Sequence, residues 1–305
     1  MSEPLRQTEL IEAQYAGIDT WSDGRILDSL LAGQERAIAA VRRTVPAISE
    51  AATAMATRVK AGGKIYYAGA GTSIRVGVQD GTELPATYGI DESKLGYLIA
   101  GGNAAIFESL ADKEDSVEEG RVAAQICTDK DVLVAIAASG RTPYTIAAAT
   151  EAKVRGCFVI TVCNVANSAL GHIADVEINL LSGAEVIAGS TRMGAGTAQK
   201  AALNLMSTLL GIKLNAVHDG MMVAMRPENE KLKMRAATIV AQIATVKSEA
   251  ARMALAEAGA IKPAVLLCAG AQSLAKATEI LAGTEGNLRL ALAQLKQNKI
   301  QHLQH

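Results

Sequence analysis

Lys64-Ile-Tyr-Tyr-Ala-Gly-Ala-Gly-Thr-Ser-Ile-Arg75, followed shortly by Asp80-Gly-Thr-Glu-Leu-Pro85, decides how this chain reads. An apolar strand runs into a Gly-rich turn that ends in two hydroxyls and opens a helix. Backbone N–H groups at such a turn cradle an anion. Glu83 follows within about three helical turns and puts an acid or base beside that anion. The pairing points to chemistry on a phosphorylated small molecule. A dinucleotide fingerprint is excluded because residue 74 is Ile rather than Gly, and the next strand ends in Ala100-Gly-Gly-Asn103 with no carboxylate. A P-loop is excluded because no Gly-Lys-Ser/Thr follows. Thr72 and Ser73 also fit an ordinary helix N-cap, so this turn alone does not decide the matter.

Working outward, short apolar runs recur at 65–68, 97–100, 132–137, 158–162 and 176–180, with helical patterns between most of them. Continuous apolar strands separated by helices imply a parallel sheet covered on both faces. The fold class is α/β: a doubly wound, five-stranded parallel sheet flanked by helices, with a small C-terminal all-helical appendage. Ligands of such sheets sit at the carboxyl ends of the strands. The third run ends in Ala138-Ser-Gly-Arg-Thr-Pro143, a second strand-to-helix turn with hydroxyls and a proline suited to a first helical turn. Two such turns on one sheet can converge on one phosphate. A third hydroxyl-rich turn, Gly189-Ser-Thr-Arg192, precedes a nearly apolar helix over 196–213; its arginine suits either an anion or a carboxylate such as Glu185.

The expected organisation is a helical segment over 1–61, in which Pro46 opens a second helix, an anion-binding α/β domain over 62–244, and a helical domain over 245–305. The last has helices at 247–255, 273–283 and 288–297, the first two separated by Pro263 and Gly270. Half of the 305 residues are hydrophobic, enough for a sizeable core. The net charge of −1 and the 3% aromatic content argue against nucleic acid and anionic membrane surfaces as partners. The four cysteines match no metal or redox spacing and read as small buried hydrophobes of a reducing compartment. The polar N-terminus and the lack of a long apolar run make a cytoplasmic location the expectation.

A second carboxylate, Glu114, stands in Ala111-Asp-Lys-Glu-Asp-Ser116, where spacing alone reads it as an acid favouring a helix start. A resemblance gives it more weight. The two turns resemble the phosphosugar loops of the sugar isomerase (SIS) domain, and the fuller set is similar to the N-acetylmuramic acid 6-phosphate etherase family. That set comprises Gly69-Ala-Gly-Thr-Ser73, Asp80 with Glu83-Leu-Pro85 and Thr87-Tyr-Gly89, Ile99-Ala-Gly-Gly102, Glu114-Asp-Ser116, Ala137-Ala-Ser-Gly-Arg-Thr-Pro143, Gly189-Ser-Thr-Arg-Met193 with Ala195-Gly-Thr-Ala-Gln-Lys200, Asn229-Glu-Lys-Leu232 with Arg235-Ala236, and Gly286-Asn-Leu-Arg-Leu-Ala291. The resemblance implies cleavage of the lactyl ether of a 6-phosphosugar by elimination and rehydration, without metal or cofactor, in a homodimer. It casts Glu114 as the base at C2 and Glu83 as the acid at the leaving oxygen. Gly71, Thr72, Ser73, Ser139, Gly140, Arg141, Thr142, Ser190 and Thr191 become the substrate and phosphate contacts, with Lys231 and Arg235 reaching the phosphate. An aldose–ketose isomerase, a lyase on another 6-phosphosugar, and a non-catalytic phosphosugar sensor are the alternatives. Departures from the family pattern include Ala86 in Pro85-Ala-Thr87 and Leu10-Ile-Glu12 after Thr8-Glu9, and three bear on the substrate: Ile74 for Gly, Ala111 for a polar residue and Gly194 for Lys. Ile74 is expected to narrow the phosphate turn, and the three together leave open which phosphosugar is taken.

Overall fold

A computed structural model describes residues 7–303 of the chain. The chain forms two compact units, one of Met1–Thr82 with Ser93–Leu210 and the other of Glu83–Glu92 with Gly211–His305.

In the first unit, helices α1 (Asp23–Val41) and α2 (Val45–Lys60) precede strand β1 (Ile65–Gly69). Pro46 falls in the first turn of α2, where its missing N–H leaves no intrahelical bond unmade. Helix α3 (Gly71–Tyr88), strand β2 (Leu95–Ile99), helix α4 (Val117–Ala123), strand β3 (Val132–Ala137), helix α5 (Pro143–Val154), strands β4 (Phe158–Cys163) and β5 (Val176–Asn179), and helix α6 (Gly194–Lys213) follow. The last residues of α3 and α6 run into the second unit.

The five strands form one sheet in the order β2-β1-β3-β4-β5, and every pairing is parallel. Val132–Ala137 is buried at every residue, because a central parallel strand is covered on both faces. On one face Leu133, Ala135, Val159 and Tyr66 pack with Ala148, Ala149 and Ala152 of α5. On the other, α3 approaches so closely that a Cβ on Gly77 would lie 2.9 Å from Cδ1 of Ile136. Strand β2 begins earlier than its apolar run suggests, at Leu95, because Gly96 lies under the Tyr66 ring, where a Cβ would come within 2.4 Å.

The second unit carries a short antiparallel hairpin, β6 (Val217–His218) and β7 (Met221–Met222), and helices α7 (Glu230–Ala244), α8 (Ser248–Ala258), α9 (Ile261–Cys268), α10 (Leu274–Gly283) and α11 (Leu288–Leu303). Its core gathers Ile239, Val240, Ile261, Val265, Leu266, Ile280 and Leu288. Residues 83–92 join it through the Arg226 N–H, which donates to the Ala86 carbonyl at 3.2 Å. Pro263 does not separate two helices as the sequence suggests. It occupies the first turn of α9, where a helix has no N–H partner to lose. Among the described residues no helix is long and apolar enough to cross a membrane.

Candidate active site

The sheet order reverses between β1 and β3: the chain leaves β1 toward β2 on one side and continues through β3, β4 and β5 on the other. The crevice outside the carboxyl ends of these two strands is the topological switch point, where ligands of open α/β sheets bind. A cavity of about 390 Å³ lies there. A larger opening of about 850 Å³ is formed by α2 residues with Asp129, Lys130 and Phe158, at the opposite end of the strands. Its Arg58 is already engaged: the guanidinium lies over the Phe158 ring and donates to the Asp129 carbonyl at 2.6 Å. The chemistry-bearing groups gather in the smaller cavity.

Two helix N-termini meet its floor. Gly71, Thr72 and Ser73 open α3, and Ser139 and Thr142 lead into α5; all five line the cavity. Thr142 is the N-cap of α5, yet its side chain makes no capping bond, so its hydroxyl is available to a ligand. Ser139 Oγ accepts the Arg141 N–H at 3.3 Å and shapes the turn. Helix N-termini bring unpaired N–H groups and the positive end of the dipole, which together favour an anion. Thr191 adds a hydroxyl to the same cavity. Its turn is held by the Gly189 N–H, which donates to the Thr8 carbonyl at 3.1 Å.

Glu114 also lines the cavity. It does not sit in the first turn of a helix, as spacing suggested. It belongs to a 3-10 turn, Ala111–Asp115, and α4 begins after it with Ser116 as N-cap, accepting from the Glu119 N–H. The dipole-favouring acids of that helix are Glu118 and Glu119. Glu114 instead leans over the turn into α3: a Cβ on Gly71 would fall 2.9 Å from its Oε1, and Gly71 adopts φ +53°. Only glycine meets both demands at that position. Burial raises the Glu114 pKa above the ordinary glutamate value, neighbouring Asp115 adds to the rise, and Arg75 opposes it.

Other expected residues are not among those lining the cavity. Gly140 does not line the cavity; with φ +59° and Ser168 Cβ only 2.3 Å from where its own Cβ would be, it makes the turn possible. Arg141 is exposed and Ser190 is half-buried, and neither is among the lining residues. Glu83 is exposed on α3, in the second unit. Lys231 and Arg235 lie one turn apart on the exposed face of α7, in the second unit. Arg192 does not pair with Glu185: both oxygens of that buried carboxylate accept N–H groups of α6, from Gly194 and Ala195 at 2.9 Å each.

The three departures resolve differently. Ile74 does not narrow the turn: it is fully buried and packs back against Gly69, where a Cβ would meet its own Cβ at 3.3 Å. Gly194 faces Glu185 rather than the cavity. Ala111 does line the cavity and presents a methyl group there. Sequence reasoning passed over Arg75, which lines the cavity, and gave no site role to Glu108 or to the N-terminal Thr8 and Glu9, which do as well. The available signal for Arg75 was its spacing of four from Gly71, which places the two on one helix face.

The sheet order, the paired turns and the polar switch-point cavity define an α/β protein of the sugar isomerase class, and the SIS domain family model matches residues 32–164. Sequence comparison narrows the class. The chain is 46% identical over 237 residues to the N-acetylmuramic acid 6-phosphate etherase of Symbiobacterium thermophilum, covering 76% of this chain and 79% of the relative. It is 40% identical to that of Clostridioides difficile, covering 88% and 89%, and 40% identical to that of Streptomyces avermitilis, covering 94% and 93%. The chain belongs to the N-acetylmuramic acid 6-phosphate etherase family. A solved structure from Bacteroides fragilis, a protein linked to capsule formation, shares the fold at a TM-score of 0.50 and 17% identity, covering 64% of this chain and 94% of that one.

Proposed function

We propose that this protein cleaves the D-lactyl ether of N-acetylmuramic acid 6-phosphate by elimination and rehydration, releasing D-lactate and N-acetylglucosamine 6-phosphate. The observation that carries the proposal is the placement of Glu114 over Gly71, in a cavity floored by two helix N-termini. The phosphate binds at the N-termini of α3 and α5, with Ser73, Ser139 and Thr142 donating their hydroxyl protons. That grip fixes the sugar while the reacting carbons lie toward Glu114. In the open-chain sugar the C2 proton is α to the aldehyde. Glu114 takes that proton, the electron pair forms the C2–C3 double bond, and the C3–O bond to lactate breaks. The departing alkoxide needs a proton, and Glu83 supplies it. Water then adds at C3 and the proton returns to C2.

The chemistry needs one carboxylate ionised and one protonated, and both proton transfers come from side chains, so the reaction uses no cofactor. Glu83 is exposed in the single chain, and an acid catalyst works best shielded from water; a homodimer that covers it completes the proposal. Lys231 and Arg235 add positive charge for the phosphate. On this reading the enzyme works in the cytoplasm, in recycling of cell-wall amino sugar.

The test is incubation with N-acetylmuramic acid 6-phosphate in D₂O, following D-lactate release and deuterium at C2. Release of lactate with deuterium incorporation is expected. Exchange at C2 without lactate points to an isomerase, and a folded protein that does neither refutes the catalytic reading. Glu83→Ala is expected to abolish lactate release while leaving some exchange; Glu114→Ala is expected to abolish both.

A further inference from the structure

Arg75 stands one helical turn after Gly71, at the wall of the cavity. Its Nε donates to the carbonyls of Ala105 (3.2 Å) and Ile106 (3.1 Å), and its Nη2 to those of Ala105 (2.9 Å) and Glu108 (2.8 Å). The guanidinium therefore binds the end of the 3-10 turn Gly102–Ile106 and the start of the segment leading to Glu114. A planar fork satisfies several carbonyls at once; a lysine ammonium has no such geometry. The bonds also fix where the positive charge sits. Among the described residues lining the cavity, Arg75 is the lone cation, and Glu9, Glu108 and Glu114 are the carboxylates.

We propose that Arg75 is a positioning residue for Glu114: it ties down the 102–108 segment and holds a fixed positive charge beside the carboxylate that accepts the C2 proton. The proposal rests on the reading of Glu114 as that base. Its role is distinct from phosphate binding: Nε and Nη2 already serve carbonyls, and the helix N-termini take the phosphate.

The groups acting on Glu114 can be named. Burial and Asp115 favour its protonated form, and Arg75 favours the ionised form a base needs. Lys113, next in sequence, is half-buried and paired with Glu119 at 3.0 Å. Glu9 and Glu108 face the same cavity and add negative charge. Removing Arg75 leaves Glu114 among carboxylates with no cation in the cavity wall.

The test uses the full chain with Arg75→Gln and Arg75→Lys, and two readouts. The first is the titration of Glu114 by ¹³C-carboxyl NMR, assigned with Glu114→Gln. The second is the pH profile of kcat/KM for lactate release. In Arg75→Gln the Glu114 midpoint is expected to move to higher pH, and the acid limb of kcat/KM to move with it. In Arg75→Lys the midpoint is expected to stay near the wild type, while amide exchange across 102–108 accelerates because the fork is lost. A Glu114 midpoint unmoved in Arg75→Gln, with kcat/KM lowered by one factor at every pH, overturns the proposal. If the glutamine variant does not fold, unchanged amide exchange in Arg75→Lys overturns it. If the wild type releases no lactate, the etherase reading fails on its own, and the NMR titration still decides whether Arg75 acts on Glu114.

Discussion

Replacing Asp80 tests whether α3 is held by a buried charge. Asp80 is 2% exposed and accepts three hydrogen bonds: Tyr67 Oη at 3.0 Å, Asn204 Nδ2 at 3.0 Å and Ser207 Oγ at 2.8 Å. These join α3 to β1 and α6, one turn before Glu83. In Asp80→Ala all three donors lose this acceptor; the Tyr67 and Ser207 hydroxyls lose it in the buried interior, while the exposed Asn204 amide turns to water. Each unsatisfied buried donor costs about 1–3 kcal/mol, and removal of a buried charge gives part of that back, so the net loss is about 3 kcal/mol. Asp80→Asn keeps the shape: its carbonyl serves Asn204 and Ser207, and its amide donates to the Tyr67 hydroxyl, so the loss stays under about 1.5 kcal/mol. The two variants also separate by pH. Burial raises the Asp80 pKa despite the three hydrogen bonds that pull it down. A raised carboxyl pKa means that folding favours the protonated acid. Its contribution is full below the ordinary aspartate value and is lost as pH rises through the folded value. The stability of the wild type relative to Asp80→Asn must therefore fall as pH rises from acid toward neutral. Urea unfolding followed by the single tryptophan, Trp21 of the first unit, measures both effects. A loss below about 1 kcal/mol in Asp80→Ala, or a wild-type advantage that grows with pH, refutes the reasoning.

Further expectations follow from the cavity. Glu114→Gln keeps the shape over Gly71 and removes the base; lactate release should drop by about 10²–10⁴-fold, and a smaller drop places the base elsewhere. Because the Glu114 pKa is raised, the acid limb of kcat/KM should lie above the ordinary glutamate value of about 4.3; a limb at or below that value contradicts the burial argument. Gly140→Ala puts a Cβ into Ser168 at a positive φ, so a loss of about 2 kcal/mol or more is expected in urea unfolding, together with weaker phosphosugar binding by calorimetry. Ile74→Val should cost about 1 kcal/mol of stability and leave KM unchanged, since Ile74 faces the core; a changed KM returns it to the site.

The parallel sheet was legible in the sequence because its strands are buried on both faces and read as unbroken apolar runs, Val132–Ala137 most plainly. Features that depend on partners distant in sequence were not. The hairpin at 217–222 turns on Asp219 and Gly220, both at positive φ, a pair that marks a two-residue turn. It escaped notice because its strands are only two residues long. Pro263 misled because proline breaks a helix interior but is harmless in a first turn, and the extended Ala260 that sets this turn is invisible in composition. The same difference separates the halves of the site. The hydroxyl turns announce themselves, since strand, glycine and hydroxyl must follow one another in sequence. Arg75 does not, because its partners are carbonyls thirty residues on, and any sequence supplies carbonyls. Ile74 was misread for a related reason: its neighbours in sequence belong to the hydroxyl turn, but entry into α3 at Gly71 points its side chain back at Gly69 and the sheet. Glu114 combines both cases. Its place just before Ser116 suggested an acid favouring a helix start, and only the fold of the segment before it, whose 105–108 carbonyls a guanidinium from α3 binds, sets that carboxylate over Gly71. If that is what makes it a base, reactivity here was written less in the motif that carries Glu114 than in the arginine that fixes the turn before it.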